Sequence, residues 1–194
     1  MSHLVESWIR QAPGVDQVAR FFAEASDPWE YLHLGCAPLA FGAGSHRAFA
    51  EYFQGTSRVL VRSLSEICAW LAGCECLPDH ALFFQDDFWQ HPLTFEQIRK
   101  GDCEDHALWA WRKLAEIGIP ARFAAGRWRG IAHAWVLLED GAGPRLLETT
   151  AKAEPLIRDL AGPVRTEYCP ALSVDHTFRT FVHAGYPIFA RSRC

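Results

Sequence analysis

Apolar residues recur at helical spacing through much of the first hundred residues. Val15, Val18, Phe21, Phe22 and Ala25 form one such stripe, as a helix with one buried face requires. Asp27 followed by Pro28 is a cap and first-turn pair, and it predicts a second helix that Gly35 closes. Residues 45–55 repeat that grammar. A longer amphipathic stretch over about 57–71 stops at Gly73, and Thr94 with Gln97 makes a capping box for a short helix ending near Gly101. The clearest helix follows. Cys103, Ala107, Ala110, Trp111, Leu114 and Ile117 share one face, Gly118 supplies the stop and Pro120 blocks continuation. Beyond it the period changes. The runs 121–129, 132–139 and 145–150 are short, apolar and separated by Gly-containing turns, with more irregular strands expected within 168–190. Helices first and then an antiparallel sheet define an α+β chain.

Composition narrows the class. At 194 residues the expectation is a single domain over 1–194, with 1–90 as a helical N-terminal part and 91–194 as the core with the sheet. A 49% hydrophobic and 13% aromatic content excludes a disordered chain. The formal net charge is −4 and no window concentrates Lys or Arg, which argues against a nucleic-acid partner. The longest stretch without Lys, Arg, Asp or Glu, from Tyr31 to His46, is shorter than the ~20 residues of a membrane span. No membrane association is expected. The N-terminal stretch brings Glu6 early and lacks a basic leader with an apolar core, so the expected compartment is the cytoplasm. Seven cysteines are then expected as free thiols, most of them small buried hydrophobes.

One cysteine stands apart. In Gly101-Asp102-Cys103-Glu104-Asp105, Cys103 opens the strong helix, where unpaired amides and the helix dipole favour a thiolate. The three carboxylates around it oppose that charge, so a nearby imidazolium is required. His133 is the candidate. Glu139-Asp140-Gly141-Ala142 contains an Asp-Gly pair, the preferred two-residue hairpin turn. A two-residue turn sets Glu148 directly opposite His133, and a four-residue loop over 140–143 makes it the diagonal neighbour on the same face. Both registers bring carboxylate and imidazole together. A nucleophile on a helix start, a base on a strand and an acid on the next strand are the parts of covalent thiol catalysis.

The blocks GDCEDHALWAWRKLAEIGIPARFAAG, AHAWVLLED and LLETTAK, spanning Trp89 to Lys152, resemble the core of the transglutaminase-like superfamily, within the papain-like fold. GDCED is most similar to bacterial transglutaminase-like cysteine proteases. The resemblance implies a papain-like core whose sheet packs on the catalytic helix, with Cys103 as nucleophile, His133 as general base and acid, and Glu148 as orienting acid, where Asp is commoner. Relatives place a side-chain N–H ahead of the nucleophile as oxyanion donor, for which Trp89 is the choice over Gln90 and Gln97. No cofactor is required for the chemistry. Some relatives bind calcium beside the nucleophile, which here falls on Asp102, Glu104 and Asp105.

The expected activity is hydrolysis of an amide bond in a peptide, protein or small amide through a thioester on Cys103. The alternatives are acyl transfer to an amine, as in a transglutaminase, and a non-enzymatic binding module that keeps the fold. Cys68, Cys74, Cys76 and His80 cluster in sequence, but their spacing differs from the usual C-x₂₋₄-C zinc pairs. His106, one turn after Cys103, is expected on the helix surface. Trp135, two residues from His133, is expected on the same strand face.

Overall fold

The computed structural model describes residues 3–186 except 12–13, 43, 46 and 154–155. Seven antiparallel strands form one sheet in the order β1-β9-β8-β4-β5-β6-β7. They are β1 (Tyr31–Gly35), β4 (Ala121–Trp128), β5 (Ile131–Leu138), β6 (Arg145–Leu147), β7 (Ile157–Asp159), β8 (Tyr168–Asp175) and β9 (Thr180–His183). A separate parallel pair joins β2 (Glu75–Cys76) to β3 (Lys100–Gly101). The helices are α1 (His3–Gln11), α2 (Val15–Glu24), α3 (Leu64–Ala72), α4 (Asp79–Leu82), α5 (Pro92–Ile98), α6 (Cys103–Glu116) and α7 (Gly162–Glu167). The mixed helical and antiparallel content is that of an α+β protein.

Side-chain alternation divides the sheet into two faces. Phe123 and Val136, paired across β4 and β5, bury themselves with Trp111, Leu108 and Leu114 of α6. The next pair, Ala124 and Trp135, faces the other way, where Leu146, Leu160, Tyr168 and Trp29 close a second cluster. Helix α6 packs on the first of these faces, and most of its residues are buried. Its Trp111 has no exposed surface and donates from Nε1 to the Ala121 carbonyl at 3.2 Å.

Two cations on α6 tie in the N-terminal segment. Arg112 donates to the carbonyls of Tyr52, Gln54 and Gly55 at 3.1, 2.9 and 2.7 Å. Lys113, fully buried, reaches Glu96 at 3.0 Å, Glu116 at 2.9 Å, the Val59 carbonyl at 2.7 Å and the Ser57 hydroxyl.

The N-terminal part is less helical than its sequence suggests. The segment after Asp27-Pro28 is not a helix: Asp27 caps one turn by accepting from the Trp29 amide at 2.9 Å, and Tyr31–Gly35 then pairs with β9. Among the described residues of 45–55, only Phe49–Phe53 coils, as a 3₁₀ turn. Helix α3 begins at Leu64 with Ser63 as its cap, because residues 57–59 are taken up by Lys113 and Glu96. Helix α5 starts at Pro92, two residues before the expected box, with the His91 ring accepting from the Leu93 amide at 3.2 Å. In the C-terminal half α6, β4 and β5 match the periodicity closely, and the β5–β6 pairing Leu138↔Arg145 is the four-residue-loop register. The expected strand over 145–150 ends at Leu147, and the part of 168–190 beyond residue 186 lies outside the described residues, as does Cys194. No helix among the described residues is long and apolar enough to cross a membrane.

Candidate functional site

At the β4–β5 hairpin end of the sheet, a cavity of about 410 Å³ is lined by Cys103, His133 and Trp89, together with Asp87, Asp102, Glu104, Arg127 and Tyr186. Helix α6 delivers Cys103 as its first residue. Strand β5 delivers His133, and β6 runs straight into Glu148.

The imidazole and the acid are bonded. His133 Nε2 lies 2.9 Å from Glu148 Oε2, with the carboxylate fully buried behind the ring. Glu148 Oε1 accepts from the Thr150 amide and hydroxyl, both at 2.8 Å, and from the Ala151 amide at 3.1 Å. Tyr168 Oη donates to Oε2 at 2.7 Å. Burial works to raise the Glu148 carboxyl, but the bond and charge of His133 and the two amides outweigh it and hold the group well below the usual carboxylate range. Trp128 and Trp135 flank the imidazole, with ring centroids 5.3 and 6.1 Å away. Trp135 thus shares the face of His133, as its spacing predicts.

Cys103 sits in a different field. Its thiol donates to Glu104 Oε2 at 3.3 Å, and burial together with the Glu104 and Asp102 charges pushes it well above the usual thiol range. The Ala134 amide pulls the other way and is outweighed. The helix start alone therefore does not make a thiolate while the acids go uncompensated.

Those acids form a buried group. Helix α4 and the loop after it bring Asp79 and Asp87 alongside Asp102, Glu104 and Asp105, and three sets of ligand atoms lie within 4.8 Å of one another: Asp102-Cys103-Glu104, Asp79-Asp102-Asp105 and Asp79-Asp87-Glu104. Burial, followed by mutual repulsion, raises Asp102, Glu104 and Asp105 above the usual carboxylate range. Asp105 is additionally fixed by the Gln90 amide at 2.7 Å, and Gly101 is the residue whose added Cβ would drive into both partners. Asp79 Oδ1 and Asp102 Oδ1 are buried without a hydrogen-bond partner among the described residues. A set of oxygen donors with two orphaned carboxylate atoms suits a hard divalent cation such as calcium.

In the metal-free protein the raised acids and Glu148 respond to pH in opposite senses. Groups raised above their unfolded values of 3.8 and 4.5 stabilise the fold below about pH 4, and that contribution is lost as pH climbs through the raised values. Glu148, lowered from 4.5, acts oppositely, its contribution being present above that value and lost at lower pH. A thermal midpoint that falls between about pH 5 and pH 8, and falls less steeply in Asp102→Asn, is the expected result from calorimetry in chelator.

Other predicted groups fall as follows. Trp89 lines the cavity with its indole edge against Gly42, whereas Gln90 spends its amide on Asp105 and the Lys100 carbonyl, and Gln97 is exposed. His106 is not on the surface: it is fully buried against Phe95, bonded to the Asp102 carbonyl at 2.7 Å and pushed down to about 4 by burial. Cys68, Cys74, Cys76 and His80 form no ligand group among the described residues. No local pattern in the sequence marks Asp79, Asp87 or Tyr168; only the fold brings them to the site. A second cavity of about 490 Å³ lies at the opposite end of β4 and β5, and its Arg122, Arg145 and Arg165 are each paired with a carboxylate.

No family model and no curated protein matches the sequence. Among solved structures, the chain is similar to Legionella pneumophila LapG in its calcium-bound form, at 19% identity over 66% of this chain and 72% of that one, with a TM-score of 0.43. It is similar to the EGTA-treated form at 18% identity over 66% and 64%, with a TM-score of 0.40.

Proposed function

We propose that the protein hydrolyses amide bonds by covalent thiol catalysis, with Cys103 as nucleophile, His133 as general base and acid, and Glu148 as the group that orients His133. The observation that carries this reading is that His133, bonded to the buried Glu148, lines the same cavity as Cys103. In the reaction His133 takes the Cys103 proton, sulfur bonds to the substrate carbonyl carbon, and the imidazolium returns the proton to the leaving nitrogen as the C–N bond breaks. Water then attacks the thioester carbonyl, giving a carboxylic acid and the free thiol. Trp89 is the proposed donor to the developing oxyanion. Peptides, proteins or small amides are the substrate class.

The acids around Cys103 need a counter-charge before its thiolate is stable. Asp79, Asp87, Asp102, Glu104 and Asp105 would hold a calcium ion, which when bound supplies positive charge next to the helix start. Calcium is expected to raise the thermal midpoint, equivalent to about 2.7 kcal/mol at a hundredfold excess over Kd. EGTA should reverse the effect and Asp79→Asn should weaken it. No change in the midpoint up to millimolar calcium would dismiss the cation.

The reaction itself is tested by incubating the protein with a peptide library in calcium, quenching in acid and mapping adducts by mass spectrometry. An acyl group on Cys103 with cleaved peptide in solution is the expected result. Acyl groups appearing on added amines would instead indicate transfer. Absence of any adduct on Cys103 would indicate a binding module, a reading favoured by the protonated thiol held by Glu104.

A further inference from the structure

Among the described residues Glu148 accepts five hydrogen bonds, and their division between its two oxygens is uneven in kind. Oε1 is occupied by the Thr150 amide, the Thr150 hydroxyl and the Ala151 amide, all supplied by the turn that follows Glu148 itself. These three hold the carboxylate in place whatever happens at the other oxygen. Oε2 accepts from two groups on different strands, His133 Nε2 of β5 at 2.9 Å and Tyr168 Oη of β8 at 2.7 Å. Tyr168 has no exposed surface. Its ring is wedged edge-on against Trp135 at 5.2 Å and stacked on Trp128 at 5.8 Å, its partner across β4 and β8. The phenol has little freedom to choose another acceptor.

We propose that Tyr168 is a positioning residue of the His133–Glu148 pair, its hydroxyl sharing Oε2 with the imidazole and so setting how strongly that oxygen holds the ring. The assignment rests on His133 being the base of the reaction proposed above. A buried tyrosine hydroxyl needs a partner in any case. What matters is that the partner is the atom that orients His133. Two donors on one oxygen each draw on the same electron density, so removing the hydroxyl strengthens the bond that remains. Tyr168 thereby keeps the imidazole oriented yet able to release its proton to a leaving nitrogen. A carboxylate bonded to His133 alone would hold the imidazolium more tightly and make it a poorer acid.

The test is the imidazole N–H proton of His133 in the full chain, observed by nitrogen-edited NMR and assigned by its loss in His133→Ala. In Tyr168→Phe the resonance is expected to move downfield by a few tenths of a part per million, while amide turnover falls several-fold. The reverse comes from 2,3-difluorotyrosine placed at position 168, which keeps the ring's shape but donates more strongly, and its resonance is expected to move upfield. The fluorinated variant keeps the proposal testable should Tyr168→Phe fail to fold. A purely structural tyrosine would change the thermal midpoint and leave the resonance unmoved in both variants. That result, or a move in the opposite direction, overturns the proposal. An inert Cys103 with the resonance moving as expected would instead remove the hydrolase reading and leave the sharing of Oε2 intact.

Discussion

Cys103→Ala is expected to abolish the proposed peptide cleavage and to leave the fold in place. The side chain opens α6 and lines the cavity, and among the described residues its sulfur makes one side-chain bond, to Glu104. Cys103 packs at the edge of the core that α6 buries, but alanine keeps its Cβ there and is an acceptable residue for a helix start, so only the sulfur's contacts are lost. Removing a nucleophile in such a constellation eliminates the covalent route, and turnover is expected to drop by roughly three orders of magnitude or more. Loss of activity with an unchanged thermal midpoint is the pair of measurements that checks it. A variant that still cleaves at a tenth of the original rate would mean that another group carries the chemistry.

Lys113→Met gives the second large effect, and on stability instead of activity. The ammonium is fully buried and satisfied by Glu96, Glu116, Ser57 and the Val59 carbonyl. Methionine fills much of the same space but leaves Glu96, only 5% exposed at its side chain, with the Trp109 indole, the Ser57 hydroxyl and the Arg58 amide as partners but no counter-charge from position 113. Stranding one member of a buried ion pair costs about 3–5 kcal/mol. Chemical denaturation should show that loss, and Lys113→Met combined with Glu96→Gln should recover part of it because the stranded charge is gone. The same network explains why 57–63 is not helical despite its amphipathic pattern: Ser57 and the Val59 carbonyl are partners of Lys113 on α6, and the Arg58 amide is a partner of Glu96.

Legibility of the fold followed the range of the interactions. Helix α6 and the β4–β5 hairpin are set by residues within a few positions of one another, so periodicity and Gly118, Pro120 and Gly130 locate them. Strand β1 is not local. Asp27-Pro28 does start a turn, but Tyr31–Gly35 gains its backbone partners from β9, about 150 residues on, and no spacing within the segment reveals that. The site divides the same way. Cys103, His133 and Glu148 could be read from a helix start and a hairpin register, and the register found is one of the two considered. Asp79, Asp87 and Tyr168 come from α4, its following loop and β8, where nothing local distinguishes an acid or a phenol aimed at the site. His106 was misplaced because the helix is buried on more than the face its apolar stripe marks: Glu104, Asp105, Arg112 and Lys113 are buried as well.

The electrostatics of Cys103 bear most directly on the account. A helix start favours its thiolate, burial and the neighbouring carboxylates oppose it more strongly, and the proposed mechanism needs a cation and His133 to offset them. The decisive measurement is the rate of iodoacetamide alkylation against pH in millimolar calcium, resolved by peptide mass spectrometry, for the native protein and for His133→Ala. Fast alkylation of Cys103 alone well below pH 8, lost in His133→Ala and in EGTA, is the predicted result. Cys103 reacting no faster than the other cysteines of the seven, with calcium present, would contradict it.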